Sequence, residues 1–513
     1  MAKANCDDIT AYKQLSSPMY TSPKSITQIV SALSSYFEKQ QLDKIRTSDY
    51  VALLADESTD EAGRSQLAIL IRYLDCGNVE DHFVGLVNVK RRDAKTLTQA
   101  LVNFLESKDI NINKVMFLGF DGCNTMSGEQ NGVQRRFRNM VPHSQYINCR
   151  NHKLALCVKH LMKHFEVLVE VDYVLLSVYK LFEYSPQKFA VFKDVQSSYD
   201  VKELVMVRAA ATRWLSHGVA CRRFIDRFVQ ILDTLDELLE RKGDSEIVAI
   251  RDKITSKNTV AAIPVMCDML QPVNIFCKFL QGSAIDFSDV TRKLKELTDN
   301  LEILTQRFRA CLQPPGVEDD LYLSRMSTLF AEIDQRTVYS RRLRDKDSYT
   351  PTQVVEELAI PMVNKLLEEL DSGFNFVSPE LKAFSVFTLT NLPETIVELR
   401  ESDYGKAKIE TLTSHYGLRK EDTYKGQTSQ SPPLFDKATA LAEFDIFKYV
   451  MFMHRNSNPP VDLLQKMLGD EHLRTTYPCM YQLLLLSRLV PSSTASVETI
   501  SAQQIETVFL RKH

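Results

Sequence analysis

The sequence has no paired cysteine motif. Its ten cysteines are spread over 513 residues without one Cys-x-x-Cys, which argues against a zinc ribbon or a disulfide framework and matches the usage of a reducing compartment. Long apolar runs are also missing: the longest, such as "YQLLLLSRLV", fall far short of the roughly 20 residues that span a bilayer. The first residues, "MAKANCDDITAYKQ", lack the apolar centre of a signal peptide. Neither sign of charge dominates, with 63 Lys and Arg against 66 Asp and Glu for a net charge of -3. No whole-molecule field therefore draws the chain to DNA or to an anionic membrane, and any nucleic-acid surface must be local. The expectation is a soluble intracellular chain with no membrane association. What is present is globular material, 44% hydrophobic and 25% charged, enough for about two to four domains with sizeable cores.

Two textures follow one another along the chain. Residues 1–48 hold a polar lead and one amphipathic helix, "SITQIVSALSSYFEKQQL", with apolar residues at Ile26, Ile29, Val30, Leu33 and Phe37. From residue 49 the pattern changes to that of strands. "YVALLA", "QLAILIRYLD" and "HFVGLVNVK" are β-rich runs on short connections, which predicts an antiparallel meander. The helix "AKTLTQALVNFLESK", the strand "KVMFLGFDG", the helix "MSGEQNGVQRRFRNM", the strand "SQYINC" and the long helix "HKLALCVKHLMKHFEVLVEV" come next. The order βββαβαβα predicts an α/β mixed sheet covered by helices over residues 49–169. From 170 to 447 helical periodicity takes over, giving an all-helical block, with the polar stretch "GLRKEDTYKGQTSQSPPLFDKA" read as a loop or linker. Residues 448–513 are helices interrupted at Pro478 and Pro491.

One stretch poses a chemical question. "VALLADESTD" runs from a buried strand into Asp56, Glu57 and Asp60, and "FLGFDGCNTMSG" likewise places Asp121 at the end of a second apolar strand. If the two strands are neighbours, both aspartates emerge at one sheet edge. Carboxylate oxygens suit hard divalent cations, and two ions about 3.5 to 4 Å apart can clamp the attacking and leaving oxygens of a phosphodiester. The same acids equally suit turn formers or helix caps, and Glu57 and Asp60 read as turn acids that deepen the local negative potential.

The runs "LLADESTDEAGRSQLAILIRYLD", "GFDGCNTMSGEQNGVQ", "INCRNHKLAL", "ATRW" and "YPCMYQLLLLSRLVPSSTASVE" stand in the order found in hAT-family DNA transposases and the host proteins domesticated from them. The resemblance covers most of residues 20–500. It implies a ribonuclease-H-like fold interrupted by a large helical insertion (170–447), with residues 448–513 returning to that core as part of a dimerisation region. It also implies that Asp56, Asp121 and Glu498 are the catalytic acids and metal ligands, holding Mg²⁺ or Mn²⁺ if the chain is active. By the same resemblance His152 would contact DNA or the active site, Trp214 would stack on a flipped base and Arg213 would hold a phosphate. Arg135 and Arg136 in "QRRFRN", like other basic clusters, could bind backbone phosphates or form a solvated face.

Cys149, His152, Cys157 and His160 have the spacing of a zinc site. The last two share a helix with Leu154, Leu156, Leu161 and Phe165, which it must bury, so four ligands do not converge and no zinc is expected. Residues 1–48 hold one cysteine and no histidine, too few for the zinc finger with which such transposases read DNA ends. After Glu498 the family's Arg and Phe are replaced in "TISA", and the closing "AQQIETVFLRKH" no longer resembles the family, giving the expectation of a truncated or alternatively spliced product. Two functions remain open. One is a transposase-derived protein of the nucleus, or of nucleus and cytoplasm, that keeps the fold as a dimerising or chromatin-associated interaction module; Tyr477, Met480, Tyr481, Leu484 and Leu485 of "YPCMYQLLLLSRLV" form an apolar stripe that resembles the family's dimerisation region and equally suits the chain's own core. The other is an active metal-dependent transposase acting on DNA.

Overall fold

The computed structural model describes residues 22–59, 64–209, 215–241, 244–282, 287–311, 320–336, 349–374, 378–457, 461–491, 493 and 497. A helix, α1 (Pro23–Thr47), starts from the Ser22 cap with proline at its first turn, where a missing N–H costs nothing. It leads into β1 (Val51–Thr59), β2 (Ser65–Asp75) and β3 (Asn78–Asn88). Then follow α2 (Ala94–Ser107), β4 (Val115–Phe120), α3 (Val133–Met140), β5 (Gln145–Asn148) and α4 (Arg150–His164). The predicted βββαβαβα order is the observed one.

The five strands form one mixed sheet in the order β3-β2-β1-β4-β5. The first three pair antiparallel, while β4 lies parallel to β1, and β5 parallel to β4. This follows from the connections: short turns join the meander, whereas the later strands are reached by helical crossovers. Alternation then assigns the faces. Val51, Leu53, Ala55, Leu67 and Ile69 pack under α2 and α3, while Ala52, Leu54, Ala68, Leu70 and Phe117 join a core that runs from Leu381 to Val497. A third core of helices gathers residues 154–374. Its central helix, here α5 (Lys257–Leu280), is long and apolar enough to cross a membrane by length and composition, but 78% of that window is buried within the protein. The sequence reading put every apolar run well short of a span; the helix passes by mean composition because isolated polar residues such as Asp268 and Asn274 interrupt its runs without outweighing them. Asp268 is buried, and its carboxylate accepts the backbone N–H groups of Tyr322 and Leu323 at 2.8 and 2.9 Å.

Two features refine the sequence expectations. The polar stretch after residue 417 is not simply a linker: β6 (Lys420–Tyr424) and β7 (Gln427–Ser431) form a two-stranded hairpin. Its turn residues Lys425 and Gly426 both have positive φ, 51° and 80°, the backbone of a two-residue hairpin turn matched to strand twist. Second, the apolar face of "YPCMYQLLLLSRLV" belongs to α6 (Pro478–Leu489), whose Met480, Leu483, Leu484 and Leu486 are buried in the chain's own core against β2 and its neighbours. By contrast, Ile26, Val30, Leu33 and Phe37 of α1 are exposed.

A buried arginine that pairs within the sheet also reaches the C-terminal segment. Arg72 on β2 makes a two-pronged contact with Asp81 on β3, at 2.7 and 3.0 Å, and donates to the Val490 carbonyl at 3.3 Å; its side chain is 2% exposed and that of Asp81 9%. Removing one partner strands the other charge in a dry site. Arg72→Ala is expected to lower unfolding free energy by about 3 to 5 kcal/mol, measured by urea denaturation; a loss under about 1 kcal/mol would show that the pair is solvated.

Candidate functional site

The register of β1 and β4 places the two aspartates. Leu54 pairs with Gly119 across parallel strands, and two residues further along each chain stand Asp56 and Asp121. They therefore emerge at the same end of neighbouring strands, as the paired-acid reading requires. Asp56 is half-buried and opposite Ala68 of β2, so it lies on the face that carries Ala52, Leu54 and Ala68. Asp121 stands just past β4, where the sheet ends and backbone groups turn outward. Its Oδ1 accepts the Cys123 N–H at 3.4 Å, and its carbonyl accepts the Tyr146 hydroxyl at 3.0 Å.

The C-terminal segment comes back to this place. A methyl group at Gly119 would sit 3.3 Å from both Leu54 Cγ and Pro491 Cγ, so the absence of a side chain there lets Pro491 lie on the strand. Ser493 Oγ is 3.9 Å from Cys149 Sγ at the start of α4, and Val497 is buried with Ala52, Leu54 and Phe117. Glu498, the next residue, lies outside the described residues, as do Asp60, Arg213 and Trp214. Among the described residues no group of three or more His, Cys, Asp or Glu side chains has the arrangement of a metal site.

His152 is beside the acidic edge. A methyl group on Gly122 would come within 3.2 Å of His152 Cδ2 and 3.1 Å of Asn148 Nδ2, so glycine after Asp121 lets the first turn of α4 approach closely. Cys149 caps that turn, its sulfur accepting the His152 N–H at 3.4 Å. The other members of the zinc-like spacing serve the helical block: the Cys157 thiol donates to the Glu369 carbonyl at 3.1 Å, and His160 pairs with the Glu369 carboxylate at 2.8 Å.

Arg135 and Arg136 face the hairpin. Arg135 pairs with the Asp422 carboxylate and donates to the Thr423 carbonyl at 3.2 Å, and both guanidinium groups lie over the Tyr424 ring, 5.1 and 5.5 Å from its centroid. Such stacking is open to arginine because its planar cation is weakly hydrated. The hairpin strands, polar on both faces, gave no apolar alternation to announce this contact.

One residue of the edge was misjudged from sequence. Glu57 belongs to β1, which continues through Thr59, rather than to a turn. Burial raises its carboxyl pKa, an ion pair with Arg92 at 3.6 Å opposes the shift, and the charge of Asp121 adds to it. Burial, with the Asp121 carboxylate alongside, also pushes the Cys123 thiol up to about 12. The edge thus holds carboxylates that repel one another, the condition under which a cation is welcome.

Comparison with known proteins is informative at this point. The DUF4371 family model, described as the ZMYM1/FAM200 RNase-like domain, matches residues 2–132, the stretch holding β1 to β4, Asp56 and Asp121. The chain is also similar to the 52 kDa repressor of the inhibitor of the protein kinase of Mus musculus, with 21% identity over 89% of this chain and 59% of that protein. The Homo sapiens protein of the same name is 20% identical over 92% of this chain and 61% of its own length. The chain spans about three fifths of the length of these curated relatives.

Because the folded pKa of Glu57 is raised, its protonation favours the folded state: that contribution is whole below the unfolded pKa and is lost as pH rises through the folded one. Asp121→Asn removes a repelling charge and should lower the Glu57 pKa, read by carbon-detected NMR titration of the side-chain carboxyl. An unchanged Glu57 titration would separate the two groups electrostatically.

Proposed function

We propose that this chain is a transposase-derived nuclear protein that keeps the hAT scaffold and works as a dimerising, chromatin-associated interaction module without efficient transposition. The observation that carries the reading is the arrangement of β1, β4 and the returning C-terminal segment. Two aspartates at one end of parallel neighbours, with Pro491 and Val497 packed against the same sheet, are what a ribonuclease-H-like strand-transfer core requires if Glu498 is to complete it across a helical insertion of residues 170–447. The RNase-like family match over residues 2–132 supports that ancestry. The similarity along most of the chain to proteins named as repressors supports a regulatory use and, with it, a nuclear location. The altered sequence after Glu498 supports the loss of efficient cutting.

The acids themselves favour a second reading, an active transposase. In it Asp56, Asp121 and Glu498 would hold Mg²⁺ or Mn²⁺, which would activate an attacking hydroxyl and stabilise the departing oxygen. His152 would serve the same edge, and Arg213 and Trp214 would hold a phosphate and stack on an extruded base. No zinc enters either reading.

Nicking of a DNA duplex in Mn²⁺ separates the two. The regulatory reading expects the wild-type chain and Asp56→Asn to be equally inert; nicking by the wild type that falls at least about a hundredfold in Asp56→Asn would establish the enzyme. Light scattering addresses dimerisation: the module should weigh twice the 58.7 kDa of the chain, and a monomer at micromolar concentration would remove dimerisation from the proposal. The core position of α6 makes deletion of the C-terminal region a test of folding, so the intact chain is the one to weigh.

A further inference from the structure

Beside the acidic edge lies a cavity of about 1030 Å³, bounded by α3, the end of β5, the first turns of α4 and the hairpin. Six cations line it, Arg135, Arg138, Arg150, Lys153, Arg419 and Lys420, against three carboxylates, Glu129, Glu421 and Asp422. Asp422 pairs with Arg135, which leaves five cations against Glu129 and Glu421. The positive surplus is therefore real at the cavity wall.

Burial outweighs the nearby carboxylates for two of these cations: desolvation is the largest influence on Arg138 and on Lys420, although Glu380 acts on both. The Nε of Arg138 is buried with no hydrogen-bond partner. Lys420 places its Nζ 2.6 Å from His415 Nδ1 rather than on a carboxylate. Burial holds its pKa down to about 8, with Glu380 opposing and Arg138 adding to the shift. Burial likewise lowers the pKa of Lys153, with Arg150 adding to the effect. Cations that are desolvated and crowd one another are costly in an empty site and favourable around an anion. Apolar side chains of Pro142, Ile147, Leu381 and Leu418 share the rest of the wall with neutral polar ones such as Gln134, Tyr146 and Asn148, as a ligand with more than charge would need.

The cavity also has a direction. Tyr146 lines it and donates its hydroxyl to the Asp121 carbonyl, while Asn148 lines it and pairs with Phe120 across β5 and β4. It therefore opens toward the same strand ends as Asp121.

We infer that this cavity is a binding site for the phosphodiester backbone of a short single-stranded nucleic acid, with Arg138, Lys153 and Lys420 as its phosphate contacts and the hairpin as one wall. The choice of nucleic acid among polyanions rests on the scaffold reading above; binding itself does not depend on whether the edge acids cut. The volume is far larger than one phosphate, and a phosphate spaced from the next by a sugar matches cations distributed over two helices and a strand.

The test uses the full-length chain and a fluorescently labelled ten-nucleotide oligothymidylate, followed by anisotropy. Wild type should bind, with log K falling against log salt at a slope of about -2 if three phosphates are neutralised. Arg138→Gln and, separately, the less buried Lys153→Gln should each weaken binding about fivefold to tenfold and make the slope shallower by about 0.7. Far-ultraviolet circular dichroism confirms that each variant is folded, and Lys153→Gln carries the test if Arg138→Gln is not. Lys24→Gln, an exposed cation of α1 outside the cavity lining, should bind as wild type, and the nicking assay, read separately, keeps failure of the cavity apart from failure of the edge. Affinity unchanged in both cavity variants would overturn the site. Pyrophosphate binding as tightly as the oligonucleotide would overturn the nucleic-acid source and assign the cavity to small phosphates.

Discussion

The parallel pairing of β1 with β4 is the constraint on which the rest of the site depends. In a parallel pair successive residues advance together, so the match of Leu54 with Gly119 sets the placement of everything beyond it. Gly119 adds a steric condition, because Leu54 and Pro491 both close on the space its side chain would occupy. Sheet register and the return of a segment more than 350 residues away in sequence are thus joined at one residue. A side chain there would make Leu54 or Pro491 give way, and so would strain the seat of the C-terminal segment.

Around that point, charge is arranged in two zones of opposite sign. The strand ends carry Asp56, Glu57 and Asp121, and the raised Glu57 pKa records its burial first and the charge of Asp121 second. The adjoining cavity carries the surplus of arginine and lysine, and the depressed Lys420 pKa records its desolvation. Tyr146 stands between the zones, giving its hydroxyl to the Asp121 backbone while lining the cavity. Neither zone shows in the net charge of -3, since opposite surpluses cancel in the sum. A local field is a property of placement.

The helical core and the sheet meet through α4. Its first turn holds Cys149 and His152 near the acidic edge, while further along Cys157 and His160 are bonded to Glu369 in the helical block. One helix therefore couples the candidate site to the helical block, and Cys157 and His160 take part in that coupling. Of the four residues with that spacing, Cys149 caps the first turn, and Cys157 and His160 bond to Glu369.

Periodicity alone determined much of this protein. The βββαβαβα order was legible because "VALLA", "QLAILIRYLD" and "KVMFLGF" are apolar enough to be buried strands, and the acids at their ends marked a chemical edge. The hairpin at Lys420–Ser431 was not legible, because its residues are largely exposed and carry no buried alternation; only Lys425-Gly426 hinted at a turn. The apolar stripe of α6 announced a helix that buries one face, but periodicity cannot say against what, and packing supplied the chain's own core. The sequence by itself set which segments are strands, which are helices and which residues bear charge. Tertiary structure alone decided which strand ends are neighbours, that Glu57 stands with the strand acids, and that dispersed arginines and lysines face one cavity, because register and proximity arise from contacts between residues distant in sequence.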